Sequence, residues 1–211
     1  MALIDNLPSS TGKRSKEANK IIAKEITDKS DHKSIKELLK LLDNKDRNIQ
    51  SDSIEVLYET GYLKPDLIAD YYEIFLELLN NKNNRLVWGA MIALSSISKI
   101  VPEDIFKVLP IITKAFEKGS VITKDAGVSV YVNLARIKNQ KAEVLPILFD
   151  ELKKCPDKQL AQYAEKSNIA IDEESKETFL EIINLRLKSL EKESQIKRLK
   201  KVIKSITDRY S

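Results

Sequence analysis

The chain has 211 residues, of which 42% are hydrophobic and 32% are charged, and its formal net charge at pH 7 is +4. A chain of this length and composition can bury a hydrophobic core. Five Gly and six Pro are too few for the many tight turns of a β-protein, so the composition favours long helices. The single cysteine, Cys155, excludes an internal disulfide framework and a cysteine-based zinc site, and it fits a cytoplasmic location.

The N-terminal part of the chain predicts a capping region over residues 1–33. Residues 1–14 lack a basic start followed by an apolar run, so we expect no secretory signal. The stretch 8–15 contains Gly-Lys but lacks the first glycine of a phosphate-binding loop. Residues 10–28 have the spacing of a short helix whose inward face holds Ala18, Ile21, Ile22 and Ile26.

Residues 34–171 repeat a pattern at intervals of about 37 residues. Segments 38–60 and 75–97 align after a shift of 37 residues, which places Asn44-Lys45 on Asn81-Lys82. A third unit, 112–137, aligns with a loop about three residues longer, and a fourth, 144–166, has a more polar second helix. Each unit has the pattern of two amphipathic helices around a polar turn. Such a period predicts a stacked α-solenoid, because one helical pair alone cannot bury its apolar face.

The second helix of the second unit carries a family resemblance. Residues 87–95, Val-Trp-Gly-Ala-Met-Ile-Ala-Leu-Ser, resemble the HEAT-repeat signature of Val-Arg, two small residues and Ala-Leu-Gly. Trp88 stands where the family usually has Arg, and Ser95 where it often has Gly. The likeness covers roughly 34–170, and armadillo repeats share much of it. It implies an all-α fold of about four HEAT-like hairpins over 34–171, between the N-terminal cap and C-terminal capping helices with a basic tail over 172–211.

The resemblance also implies how neighbouring units are joined. In the family, an Asp usually pairs with the Arg of the signature, but the turn 80–84 does not clearly keep that Asp. We therefore expect a weak Asp–Arg ladder between units.

Leu86 to Ser98 is the longest run without a charged residue. Its thirteen residues are too few to span a membrane, which needs about 20. The run is therefore expected to be an inner helix of the stack, where Gly89, Ala90 and Ala93 allow close approach of neighbouring helices. Trp88 lies at the edge of the apolar stripe, and two interpretations stay open: a core residue, or an exposed anchor for a partner.

The C-terminal residues are the most basic part of the chain. Residues 186–211 hold nine lysines and arginines against three acidic residues. Residues 196–206 are both basic and amphipathic, so they can cap the last helical pair or bind an anionic surface or nucleic acid. The candidate residues for an anionic partner are Lys197, Arg198, Lys200, Lys201 and Lys204.

The sequence contains no arrangement that is typical of catalysis, a cofactor or a metal site. The only histidine, His32, lies in a polar turn, where a solvated role is expected. HEAT-like alkylpurine DNA glycosylases are of similar size, but as a family they use aromatic residues and an Asp on a basic face. The second helices here offer one Trp and no matching Asp. We therefore expect a protein that is not an enzyme.

The resemblance implies a protein-interaction scaffold, because second helices line the concave surface of HEAT-like stacks. The polar or accessible stripes expected there begin with Asp52, Glu55 and Glu59 on the first unit. The partner-binding candidates on the next two units are Trp88, Ile92, Ser96, Ser129, Asn133 and Arg136. The expected partner is another protein, the alternative is nucleic acid or an anionic surface bound by the C-terminal helix, and we expect a monomer or weak homo-oligomer.

Overall fold

The structure is a computed structural model that describes residues 3–12 and 15–210. Regular structure in these ranges is entirely helical, as the sequence predicts. The α-helices are α1 (Lys16–Lys29), α2 (His32–Leu41), α3 (Arg47–Leu63), α4 (Asp66–Ala69), α5 (Tyr72–Leu78), α6 (Asn84–Ile97), α7 (Pro102–Lys107), α8 (Leu109–Lys118), α9 (Val121–Ala135), α10 (Lys138–Lys154), α11 (Asp157–Ser167), α12 (Lys176–Leu187) and α13 (Glu193–Arg209). Short 3-10 helices lie at Leu3–Asn6, Pro8–Thr11 and Asn168–Ala170.

The 37-residue period is visible in how α3 and α6 begin. Asp46 caps α3 by accepting a hydrogen bond from a backbone N–H two residues on, at 2.8 Å. Asn83, 37 residues later, caps α6 in the same way at 3.1 Å. Asn44 and Asn81 repeat the arrangement one step earlier, each accepting from the cap residue's own N–H at 2.8 Å. The two polar turns are therefore equivalent, and the repeat read from residues 38–97 is confirmed.

The same spacing continues beyond the second unit. Ser120 Oγ accepts a hydrogen bond from Thr123 N at 3.3 Å at the start of α9, and α9 begins 37 residues after α6. The sequence predicted a loop about three residues longer in the third repeat. That prediction is wrong, because α9 begins 37 residues after α6, without an added delay. The next long second helices, α11 and α13, each begin 36 residues after the one before.

Two of the units contain a third, shorter helix. α4 precedes α5 and α7 precedes α8, and each short helix starts beside a proline, Pro65 or Pro102. Proline fixes φ near the helical value and lacks an N–H, so it is well placed at a helix start. Units of three helices are typical of armadillo repeats, whereas HEAT repeats have two. The HEAT-like hairpins expected from the sequence are thus armadillo-like in these two units.

The chain forms two compact units, Met1–Gly127 and Val128–Ser211. In the first unit, α3 packs against α1, α2, α4 and α6, and α5 packs against α6. In the second, α10 packs against α12, and α13 packs against α11 and α12. The helices expected as C-terminal caps, α12 and α13, thus pack against each other as well as against α10 and α11. The expected division at residues 33/34 and 171/172 stays a prediction.

The N-terminal helix has a different inward face from the one expected. Ala23 and Ile26 are buried, but Ile21 is 54% exposed, so its predicted inward orientation is wrong. Asn19 is buried instead, at 1% exposure. Its side chain hydrogen-bonds to α3, and this polar contact replaces the apolar contact expected of Ile21.

A close contact between α3 and α6 depends on Gly89. A Cβ atom added at Gly89 would lie 2.6 Å from Cγ1 of Ile54, which is fully buried on α3. A similar approach occurs at Gly61 of α3, where an added Cβ would collide with Ser96 Oγ and Ile68 Cδ1. The sequence therefore keeps glycine inside two helices, although glycine is a poor helix former.

We expect Gly89→Ala to lower the free energy of unfolding by about 1 kcal/mol. Overpacking costs about 1–3 kcal/mol, and the better helix propensity of alanine offsets about 1 kcal/mol of that. In an Ile54→Ala background the collision is absent, so the same substitution should be neutral or stabilising. Urea unfolding of the four proteins in this double-mutant cycle measures the coupling. An equal loss in both backgrounds would show that Ile54 is not the cause.

Arg186 of α12 closes the C-terminal end of α10. Its Nη1 donates to the carbonyls of Leu152 and Lys153, and its Nη2 donates to Cys155 O and Asp157 Oδ1, all at 2.8 Å. The Arg186 side chain is only 15% exposed. Carbonyls at a helix end lack intrahelical donors, so one guanidinium satisfies several of them together.

We expect Arg186→Ala to destabilise the protein by about 2–3 kcal/mol, because it removes charge-assisted hydrogen bonds from partly buried carbonyls. Arg186→Lys should recover only part of that loss, since an ammonium lacks the planar fork. Arg198→Ala is the matched control: Arg198 forms an exposed ion pair with Glu165, and its loss should cost less than about 1 kcal/mol. Equal losses at the two arginines in thermal unfolding would contradict the capping role.

Candidate functional site

The three partner-binding candidates in the compact unit Met1–Gly127 differ in exposure. Trp88 is half-buried on α6, whereas Ile92 and Ser96 are 9% and 8% exposed. Ser96 Oγ donates a hydrogen bond to the Ala93 carbonyl at 2.7 Å within its own helix. Trp88 is therefore the member of this group with the most accessible side chain, and binding by all three stays a prediction.

The other three candidates lie in the compact unit Val128–Ser211: Ser129 and Asn133 within α9, and Arg136 just after its end. Ser129 is half-buried and accepts a hydrogen bond from Lys166 Nζ at 2.9 Å. Asn133 is half-buried and Arg136 is exposed. Their part in binding also stays a prediction.

Trp88 belongs to a row of aromatic rings on α3 and α6. Its ring centroid lies 5.9 Å from that of Tyr58, which in turn lies 6.0 Å from that of Tyr62 in an edge-to-face arrangement. Tyr58 is buried, and Tyr62 is 58% exposed. Tyr58 and Tyr62 are one helical turn apart, so they share one face of α3. The row therefore runs from a packed ring to a solvent-exposed ring.

Two carboxylates lie on the same face of α3 as the tyrosines. Glu55 is 5% exposed and Glu59 is half-buried, one turn further along. Among the described residues, no lysine or arginine nitrogen lies within 4.0 Å of either carboxylate. We call Glu55, Glu59, Tyr58, Tyr62 and Trp88 the aromatic–acidic surface.

The electrostatic environment of this surface favours the uncharged forms of Glu59 and Tyr58. Burial raises the pKa of Glu59, and Glu55 adds to this rise, while Lys20 and Lys16 of α1 lower it in part. Burial, followed by the charges of Glu55 and Glu59, also raises the pKa of Tyr58. The ionised form of Glu59 is therefore unfavourable for folding, and an added positive charge would offset that cost.

The aromatic–acidic surface has the chemistry to receive a cation. Aromatic faces attract lysine and arginine, with Trp the strongest, and carboxylates accept their N–H donors. The sequence predicted Asp52, Glu55 and Glu59 as one stripe and singled out Trp88. It did not predict that Glu55 is buried or that Tyr58 links Trp88 to the carboxylates. A helical pattern shows which residues share a face, but contacts between rings on two helices leave no periodic signal.

The basic residues of α13 fall into two groups. Arg198 donates to both carboxylate oxygens of Glu165, from Nε at 2.8 Å and from Nη2 at 2.6 Å, and this pairing lowers the pKa of Glu165. Exposed side chains are those of Lys197, Lys200, Lys201 and Lys204. The apolar residues Leu199, Val202 and Ile206 are buried, and α13 packs against α11 and α12. Binding of an anionic partner by this helix stays a prediction.

The candidates for other chemistry are few in the described ranges. Residues 3–12 and 15–210 contain no group of three or more His, Cys, Asp or Glu side chains placed to hold a metal ion. No helix within these ranges combines the length and the apolar character that a membrane crossing requires. Cys155 is 2% exposed, and burial raises the pKa of its thiol to about 11, which disfavours the reactive thiolate.

Comparison with known proteins finds similarity in structure alone. No protein-family model matches the chain, and no curated protein matches it. An engineered protein solved by the Northeast Structural Genomics Consortium is 18% identical, with a TM-score of 0.61 over 99% of this chain and 98% of that one. A computationally designed armadillo repeat protein for modular peptide recognition is 14% identical, with a TM-score of 0.64 over 96% and 98%.

A further solved structure is a designed armadillo repeat protein in complex with the peptide (KR)4. It is 15% identical, with a TM-score of 0.61 over 100% of this chain and 90% of that one. At such identities the likeness concerns the fold, and it agrees with the three-helix units seen here. The chain has the all-helical fold of an armadillo-type α-solenoid.

Proposed function

We propose that this chain is a protein-interaction scaffold without catalytic activity of its own. Its aromatic–acidic surface would bind an extended segment of another protein that carries lysine or arginine. The observation that carries this proposal is Glu55, a carboxylate that is 5% exposed and has no cation within 4.0 Å among the described residues. A buried charge without its counter-charge is unfavourable, so a cationic partner would gain more here than at an open surface.

The aromatic row supports the same kind of partner. Trp88 is half-buried beside Tyr58, and tryptophan and tyrosine side chains packed in this way are common hot spots of protein interfaces. The exposed Tyr62 continues the row and would offer a further cation–π contact. The armadillo-type neighbours include one designed for peptide recognition and one bound to (KR)4, which is support by analogy of fold.

The peptide (KR)4 is a direct probe of this proposal. We expect it to change the fluorescence of Trp88, the only tryptophan of the chain, with saturation. An acidic peptide of the same length should have no effect. Unchanged fluorescence up to millimolar (KR)4, together with no heat in calorimetry, would contradict the proposal.

Two substitutions should separate binding from folding. Glu59→Gln should weaken (KR)4 binding about tenfold, which is about 1.4 kcal/mol, and Trp88→Ala should weaken it by more. Because burial raises the pKa of Glu59, its ionised form disfavours folding, and Glu59→Gln should leave stability equal or higher. Glu77→Gln, at an exposed position on α5, is the matched control and should change neither. Loss of stability in Glu59→Gln would assign that carboxylate a structural role.

The affinity for (KR)4 should also depend on pH. The pKa of Glu59 is raised above 4.5 in the free protein, and a bound cation would lower it again. Binding therefore favours the ionised carboxylate and should be strongest at about pH 7, then weaken as the pH falls towards 4.5. The Glu59→Gln variant should show a flatter profile in calorimetry. Identical profiles for the two proteins would exclude Glu59 as the titrating group.

A further inference from the structure

The solvent-facing side of α13 holds a row of lysines. Its members are spaced at i, i+3, i+4 and i+7, so they share one face of the helix: Lys197, Lys200, Lys201 and Lys204. All of them are exposed. In the ranges that the structure describes, no carboxylate oxygen lies within 4.0 Å of their ammonium groups. We call these residues the lysine row, and it concentrates its charges within about 10 Å of the helix axis.

Acidic residues limit the lysine row at both ends. Glu193 and Asp208 are exposed and lie one helical turn outside its first and last members. Arg198, the arginine next to the row, donates to both carboxylate oxygens of Glu165. The positive charge that this face of α13 offers to a partner is therefore the charge of the lysine row alone.

The opposite face of α13 is not accessible to a partner. Leu199, Val202 and Ile206 recur at i, i+3 and i+7 and are buried, and α13 packs against α11 and α12. A helix that lies on a membrane needs a free apolar face that enters the lipid. Because the apolar face of α13 is buried in the protein, the lysine row can act only through its charge.

The partner of the lysine row is therefore one that binds mainly by charge. Lysine is depleted at protein–protein interfaces, whose hot spots are enriched in tryptophan, tyrosine and arginine. The row has none of these residue types, and no aromatic residue occurs between residues 197 and 204. Nucleic acids differ from proteins in this respect, because lysines bind their phosphates by charge and release the counterions that the phosphates held.

We propose that the lysine row binds the phosphate backbone of a nucleic-acid duplex without reading its sequence. A duplex has about one phosphate per 1.7 Å of its axis, so about 10 Å of duplex offers about six phosphates, enough for every lysine of the row. Single strands are usually held by aromatic side chains that stack on the bases, and the row has none. It also lacks arginine, asparagine and glutamine, which read base pairs through paired hydrogen bonds.

The salt dependence of binding measures how many phosphates the row neutralises. We expect a fluorescein-labelled DNA duplex of about 20 base pairs to bind the whole protein, with log K falling against log salt at a slope of about −3.6, since each phosphate contributes about −0.9. Binding should therefore weaken about 150-fold between about 50 and about 200 mM salt in fluorescence anisotropy. A slope shallower than about −1, or no binding at about 50 mM salt, would overturn the proposal.

A triple variant assigns the binding to α13. Lys197→Gln, Lys201→Gln and Lys204→Gln together should weaken duplex binding at least tenfold at about 50 mM salt and should reduce the slope to about −1. These positions are exposed, and thermal unfolding checks that the variant folds.

The matched control removes the same charge from another helix. Its substitutions are at exposed positions i, i+3 and i+7 of α2: Lys33→Gln, Lys36→Gln and Lys40→Gln. We expect this control to keep the affinity and the slope of the unchanged protein. Equal weakening in the two triple variants would show an effect of net charge, and the assignment to the lysine row would then be wrong.

Other anions test the class of the partner. Vesicles that contain phosphatidylserine, a polyglutamate peptide and a single-stranded oligonucleotide each carry negative charge without the geometry of a duplex. We expect each to bind at least tenfold more weakly than the duplex at an equal concentration of charge. Equal or tighter binding of any of them would overturn the assignment to a duplex.

This inference does not depend on the proposed function. The lysine row belongs to the compact unit Val128–Ser211, and the aromatic–acidic surface belongs to Met1–Gly127. The triple variant of α13 should therefore bind (KR)4 as the unchanged protein does. If (KR)4 binds and the duplex does not, the lysine-row proposal fails and the proposed function stands, and the reverse result has the reverse meaning.

Discussion

The contact of Gly89 with Ile54 sets how closely α6 approaches α3. Any other residue at that point of α6 would bring its Cβ against Ile54 Cγ1 and force one of the two side chains to shift. The close approach brings the Trp88 ring to 5.9 Å from Tyr58, and it holds both rings on one side of the first unit. The arrangement of the aromatic–acidic surface therefore depends on a glycine whose own side chain makes no contact. In this protein, the packing of α3 against α6 also determines the positions of the aromatic side chains on those two helices.

Much of the fold could be predicted because its main signals are local. The polar turns at 44–46 and 81–83 have the same cap geometry as well as similar sequences. The sequence alignment of the two repeats therefore matches their structural alignment. The third unit was misaligned because Leu134-Ala135 resembles Leu94-Ser95, whereas the helix start at Ser120 keeps the period. Helix caps keep the 37-residue period more closely here than apolar residues do. A cap must lie at the first turn of its helix, whereas an apolar contact can be made by residues one turn earlier or later.

The candidate site was harder to predict, for a physical reason. Helical periodicity assigns polar residues to the exposed face, but here the side-chain amide of Asn19 donates hydrogen bonds to Asp52 and Glu55 across two helices. Nothing in the sequence of α1 alone shows that Asn19 is buried while Ile21 is exposed. The pairing becomes visible only when α1 lies against α3. The charge pattern of a single helix therefore does not show which of its carboxylates become buried against a neighbouring helix.

The regular spacing of the second helices has an evolutionary consequence. Those helices begin at Arg47, Asn84, Val121, Asp157 and Glu193, at steps of 37 or 36 residues. The first three starts have a polar capping side chain in the turn just before them, supplied by Asp46, Asn83 and Ser120. Recombination within such turns would add or delete a whole unit without disturbing the start signals of its neighbours. Genes encoding folds of this kind can therefore lengthen or shorten in discrete steps, while a surface confined to α3 and α6 is inherited intact.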